Sequence, residues 1–198
     1  MNPDFTHKKI MLPDANLEYY PHFLNAREAD AYLDTFLNTL LWEQYSIKLF
    51  GKTIPQPRLT ALYALNSDPY SYSGLKLNPL TFTKELIVLH SEIVELTGSI
   101  FTHCLANLYR DGKDSMGWHA DDEKELGKKP IIASLSLGAV RNFQLKHKTN
   151  PDLRHTIPLA HGSLLIMKGT TQKFWKHQLP KTKKLIDLRI NLTFRTII

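Results

Sequence analysis

From about residue 100 to its end the chain reads with the period of strands. Segments at about 100–109, 131–137, 140–147, 155–160, 163–168, 173–178 and 185–197 are β-branched or apolar, with Gly, Pro, Asn or Asp between them. Side chains alternate across a strand, so each segment offers two unlike faces and needs another layer to cover the apolar one. Two helical patterns precede them. Asn25 and Glu28 resemble a capping box, and Ala29, Leu33, Phe36, Leu37 and Leu40 recur on one face of a helix over roughly 26–41. Asn78-Pro79 reads as the start of a second helix, continued by Leu86, His90, Ile93 and Val94 and stopped by Gly98. This order predicts an α+β chain whose β part is a jelly roll, a double-sheet arrangement with a cavity at one end. The expected division is an N-terminal arm and helix over 1–45 and a main domain over 46–198, with short strands and turns at about 46–77.

At 198 residues, 42% of them hydrophobic, the chain can bury a sizeable single core. The lone Cys104 lies in an apolar stretch and reads as an inert buried thiol. The apolar runs are too short to span a bilayer, and the first residues lack a signal-peptide core. An intracellular monomer is expected, without a membrane partner, cytoplasmic in a bacterium or nuclear in a eukaryote. The net charge of +6 favours polyanionic partners.

His119-Ala120-Asp121 is the first motif with chemistry in it. Residues i and i+2 of an extended segment point to the same side, so an imidazole and a carboxylate can reach one ion. His177, in another predicted strand, is the candidate third ligand. Two histidines and one carboxylate suit non-haem Fe(II), which keeps positions open for a cosubstrate and O₂. The same donors also suit Zn²⁺, and a second site must discriminate. Arg189, Asn191, Thr193 and Arg195 share one face of the last strand, while Ile190, Leu192 and Phe194 face the opposite layer. Two guanidiniums with an amide and a hydroxyl between them suit an elongated dianion, although an exposed amphipathic edge strand would read the same way. Asn107 and Tyr109 form a further same-face pair able to bond a carboxylate.

The ordered pieces Asn107-Leu108-Tyr109, Asp111-Gly112, His119-Ala120-Asp121, Ser134-Leu135-Ser136-Leu137-Gly138, His161-Gly162-Ser163-Leu164, His177 and Arg189 to Arg195 resemble the AlkB family of nucleic-acid dealkylases. The resemblance spans roughly 47–197 and is nearest to the eukaryotic-type DNA-repair homologues. His119-Ala120-Asp121-Asp122-Glu123, Phe50-Gly51-Lys52 and Tyr70-Ser71-Tyr72-Ser73-Gly74 are similar to motifs of those relatives. Pro57-Arg58-Leu59-Thr60 is similar to the relative that prefers single strands and acts on RNA.

The resemblance implies a double-stranded β-helix with a nucleotide-recognition hairpin region at about 46–77. It implies Fe(II) held by His119, Asp121 and His177, and a 2-oxoglutarate pocket of Asn107, Tyr109, Arg189, Asn191, Thr193 and Arg195. The implied reaction uses O₂ to remove N-methyl groups from bases such as 1-methyladenine and 3-methylcytosine, with release of formaldehyde. The implied partner is methylated DNA, single- or double-stranded, with RNA or a catalytically silent nucleic-acid-binding module as the alternatives. Substrate contacts are expected from Phe50, Gly51, Lys52, Tyr70, Ser71, Tyr72, Asp122 and Glu123. Among these, Phe50 would act as an unstacking wedge, and the two acids would read a cationic base edge. Lys52, Arg58, Lys146, Lys148, Lys173, Lys176, Lys181, Lys183 and Lys184 are candidate phosphate contacts.

Overall fold

The structure is a computed structural model. It describes residues 7–49, 51–66, 70–72 and 75–198, with backbone alone at 48–49, 70–72 and 75–77. In chain order the elements are β1 (Lys8–Leu12), β2 (Ala15–Tyr20), α1 (Ala26–Thr39), β3 (Ser46–Leu49), β4 (Lys52–Pro55), β5 (Leu59–Ala64), β6 (Tyr70–Tyr72), β7 (Leu75–Leu77), β8 (Leu80–Thr81) and α2 (Lys84–Thr97). They continue with β9 (His103–Tyr109), β10 (Met116–His119), β11 (Ile132–Gly138), β12 (Arg141–His147), β13 (Arg154–Leu159), β14 (Ser163–Lys168), α3 (Thr171–Phe174), β15 (Trp175–Leu179) and β16 (Arg189–Arg195).

The large sheet runs β1-β2-β14-β11-β16-β9-β5-β8 and the small one β10-β15-β12-β13. The central strands of the large sheet, β14, β11, β16 and β9, are covered on both faces, and the cover differs. On one side α1 and α2 bury Phe36, Leu86, Leu89 and Ile93 against Leu135, Ile190, Leu192 and Phe194. On the other side Leu17, Ile132, Leu165 and Met167 pack against Phe143, Leu145, Ile157 and Trp175 of the small sheet. Each of these fully buried Leu, Ile or Phe side chains contributes about 1.5–3 kcal/mol by leaving water. This is the expected jelly roll, with a helical layer behind it.

Local chemistry explains the ends of the elements. The Asn25–Glu28 capping box forms as read from sequence, and Gly98 takes the left-handed conformation that closes α2. The start of α2 differs from expectation. Thr83 is its N-cap, accepting from the Leu86 N–H, whereas Leu80–Thr81 pairs in parallel with β5. A hydroxyl three residues ahead of an amide is the stronger start signal, and Pro79 belongs to the extended lead-in. Gly138 has φ +88°, and an added Cβ there would collide with the Leu188 carbonyl. The S-x-S-x-G motif therefore ends in a turn that only glycine fits.

The N-terminal segment, expected as an arm with extended pieces, is built into the large sheet: β2 pairs with β14 from Leu164↔Tyr20 to Lys168↔Asn16. Apart from the two sheets stand two hairpins, β3–β4 and β6–β7. Among the described residues no helix is long and apolar enough to cross a membrane.

Candidate functional site: a metal centre and an anion pocket

The metal-ligating residues come together because of strand register. His119 on β10 and His177 on β15 are direct cross-strand partners, with ring centroids 4.2 Å apart. Asp121 follows in the loop beyond β10, and its carboxylate oxygens lie 3.9 Å from Nε2 of each histidine. The three ligand atoms fall within 4.8 Å of one another. The His119 Nδ1–H donates to the Gly117 carbonyl at 2.8 Å, which frees Nε2 for an ion. Burial, reinforced by His119, depresses His177 to about 3, and burial also lowers His119. Both imidazoles are therefore neutral and offer lone pairs. Burial pushes the Asp121 carboxyl up, but Arg195, His177 and His119 outweigh it and hold the group below its ordinary value. The pairing with Arg195 is a 3.0 Å bond from Nη2 to Oδ1.

A cavity runs from this cluster along β16 between the sheets. Its inner wall is the polar face of β16, with Arg189, Asn191, Thr193 and Arg195 all buried. Arg189 is 2% exposed, its Nη2 bonds the Ser136 hydroxyl at 2.8 Å, and its guanidinium lies 5.4 Å from the Tyr109 ring centre. Its Nε is buried without a hydrogen-bond partner, and among the described residues it forms no ion pair with a carboxylate. Burial lowers this guanidinium to about 10, so it remains charged at neutral pH. A buried charge without a counter-ion is costly, and an anionic ligand is its natural complement. Asn191 donates to Ser134 Oγ and the Leu135 carbonyl, and its Oδ1 accepts from Thr193. Asn107 Oδ1 accepts from Arg58 Nε and Thr60 Oγ1, which leaves its amide N–H groups for the cavity that it lines.

A model described as the 2OG-Fe(II) oxygenase superfamily matches residues 16–195. The chain belongs to that superfamily. Within it the chain is an AlkB homologue of the eukaryotic type. It is 44% identical over 187 residues to the rat "Alpha-ketoglutarate-dependent dioxygenase alkB homolog 3", covering 90% of this chain and 63% of that protein. It is 41% identical over 159 residues to the human "DNA oxidative demethylase ALKBH2", covering 77% and 61%. The chain thus spans just under two thirds of the length of these relatives. Among solved structures, "The structure of OsALKBH1" superposes with a TM-score of 0.68 over 96% of this chain and 100% of that one. At 14% identity this likeness speaks to the fold alone.

Membership implies Fe(II), 2-oxoglutarate and O₂, and the residues of this AlkB homologue fit them. The two neutral imidazoles and the carboxylate are the donor set of a facial Fe(II) site. The acid-free guanidinium of Arg189 suits one carboxylate of a keto-diacid. Arg195, read from sequence as a pocket residue only, also holds the metal-ligating carboxylate.

The substrate residues fare unevenly. Phe50 lies outside the described residues, as do the side chains of Tyr70, Ser71 and Tyr72. Gly51, with φ +76°, and the exposed Lys52 lie at the β3–β4 connection. Asp122 is 57% exposed and bonded to Lys148 Nζ at 2.9 Å. Glu123 has one carboxylate oxygen buried without a hydrogen bond, and burial together with Asp121 raises its carboxyl. Arg58 corrects its reading as a phosphate contact: it is 3% exposed and spent on Asn107. Lys148 is likewise committed, to Asp122 and the Gln172 carbonyl.

Lys146 faces Lys176 across one strand pair and Arg154 across the next, a row of like charges. Lys146 Nζ also lies 4.4 Å over the Trp118 ring. Sequence reasoning missed Ser134, Ser136, Phe143, Met167 and Gln172. The serines stood in a recognised motif, but their roles depend on the pairing Ser134↔Thr193 and Ser136↔Asn191.

Proposed function

We propose that this chain oxidatively removes N-alkyl groups from nucleic-acid bases, with DNA carrying 1-methyladenine or 3-methylcytosine as substrate and formaldehyde as the released product. The observation that carries the reading is the opening of the His119–Asp121–His177 cluster onto the same cavity as the buried guanidinium of Arg189. Names borne by relatives, alkB homolog 3 and DNA oxidative demethylase, support the substrate class. The cationic row Lys176–Lys146–Arg154 supports it physically, since like charges facing each other across a sheet are unfavourable unless a polyanion meets them.

When bound, iron with 2-oxoglutarate and O₂ supplies the oxidation of the N-methyl C–H bond, leaving succinate and CO₂. The chain does the rest. Arg189 takes the distal carboxylate, with Tyr109 against its guanidinium and Asn107 presenting an amide. Phe143, stacked 5.0 Å from His177, joins Leu159 and Leu179 in walling the centre from water. The target base must leave its stack to reach this depth. The half-buried Glu123 carboxylate is suited to accept a hydrogen bond from a cationic methylated base. The oxidised methyl, now a hydroxymethyl on nitrogen, departs as formaldehyde.

The test is turnover of the full chain with Fe(II), ascorbate and 2-oxoglutarate on methylated single-stranded DNA, duplex DNA and RNA oligonucleotides. Succinate should form in step with methyl loss, with DNA preferred. His119→Ala and Asp121→Ala should abolish both while far-UV circular dichroism stays unchanged; turnover by either variant refutes the metal assignment, and RNA as the better substrate overturns the DNA assignment.

A further inference from the structure

We propose that Gln172 is the positioning residue of the metal-ligating loop, an assignment that rests on His119, Asp121 and His177 being the ligands. β10 ends at His119, so no strand partner holds the backbone of Asp121. Its N–H donates instead to Oε1 of Gln172 at 3.0 Å. Gln172 is 2% exposed, and its Nε2 points to Met167 Sδ at 3.4 Å, which fixes the orientation of the amide. The Gln172 backbone carbonyl accepts from Lys148 Nζ at 2.9 Å, and the same ammonium reaches the carboxylate of Asp122 at 2.9 Å. One residue thus ties down the loop at two consecutive positions, directly at 121 and through Lys148 at 122.

The anchor is itself rigid. Thr171 is 1% exposed, its Oγ1 accepting from the Asn16 N–H at 3.0 Å and donating to the Lys168 carbonyl at 2.6 Å. Gln172 is therefore referenced to β2 and β14 of the large sheet, while the histidines belong to the small sheet. With Arg195 of β16 holding the Asp121 side chain and Gln172 of α3 its backbone, the carboxylate is set by two elements that it belongs to neither of. Groups that orient a metal ligand in this way change metal affinity by about 10- to 100-fold when lost.

The experiment is a titration of the metal-free full chain with Mn(II), read by loss of the free-ion electron paramagnetic signal. Gln172→Leu should raise the Mn(II) Kd by about 10- to 100-fold. Gln172→Asn, which keeps a buried amide but falls one methylene short of Asp121, should do the same and decides the matter if the leucine variant does not fold. Lys148→Met, which cuts the second tie alone, should have a smaller effect. With Co(II) at saturation the d–d bands of the Gln172 variants should differ from wild type, and 2-oxoglutarate Kd should be unchanged. Mn(II) binding within twofold of wild type in both Gln172 variants overturns the inference, as does a matching rise in 2-oxoglutarate Kd, the signature of a generally loosened fold. Failure of the wild-type chain to bind Mn(II) would instead defeat the ligand assignment itself.

Discussion

Among the described residues Arg189 meets no carboxylate, and carrying its charge into the interior in this way trades stability for binding. Replacing it by Met removes a desolvated charge that is hydrogen-bonded to the hydroxyls of Ser136 and Tyr109. The metal-free Arg189→Met protein should melt at or above the wild-type temperature. Its KM for 2-oxoglutarate should nevertheless rise by about 100-fold, the equivalent of one charge-assisted bidentate contact worth about 3 kcal/mol. A large loss of stability with an unchanged KM would mean that the arginine serves packing. Asp114 shows the opposite economy. Burial pushes its carboxyl up, but the bonds from Arg110 at 2.7 and 2.9 Å outweigh this and leave it below the ordinary value. A folded-state pKa below the unfolded one gives stability that is present above the unfolded value and is lost as pH falls through the folded one. Asp114→Asn should therefore lower the melting temperature at pH 7, and the gap from wild type should close below about pH 4.

Among the elements, the β3–β4 and β6–β7 hairpins join neither sheet. A two-stranded ribbon is marginal by itself, so such elements are suited to grip a ligand more than to brace a core. The β3–β4 hairpin closes with Leu49 opposite Lys52. If Phe50 is the wedge that fills the space of an extruded base, Phe50→Ala should slow demethylation in duplex DNA about tenfold more than in single strands, where no stack needs opening. Equal losses on the two substrates would remove the wedge. Elements of this chain were legible in sequence where one face is apolar and the other carries chemistry. The alternation of β16 predicted which side chains meet the helices and which line the cavity, because a strand has only two faces. The first turn of α2 was misread because Pro79 is as compatible with an extended segment as with a helix start. The roles of Gln172, Ser134 and Arg58 were not legible, since each depends on which strand lies beside which, and register is a tertiary fact.

At the scale of the molecule, the site is a seam. Asn107, Tyr109 and the arginines come from the large sheet, His119 and His177 from the small one, and Asp121 from a loop that leaves the small sheet at β10 and is held by Arg195 of the large one. Ligands bound here must therefore crosslink the two layers of the jelly roll, and they gain little from the unfolded chain, in which His119 and Asp121 lie far from His177 and Arg189. Binding only to the folded state adds about 2.7 kcal/mol at a ligand concentration of 100 Kd. For a domain of this size about 1 kcal/mol shifts the melting temperature by about 2–4 °C. Mn(II) with 2-oxoglutarate should accordingly raise the melting temperature by about 5–10 °C. Because Arg189 and the metal ligands share one cavity, 2-oxoglutarate added without metal should stabilise far less than the pair together. Differential scanning calorimetry of the chain alone, with each ligand and with both measures this directly. Strictly additive shifts would mean that the metal centre and the anion pocket are independent sites.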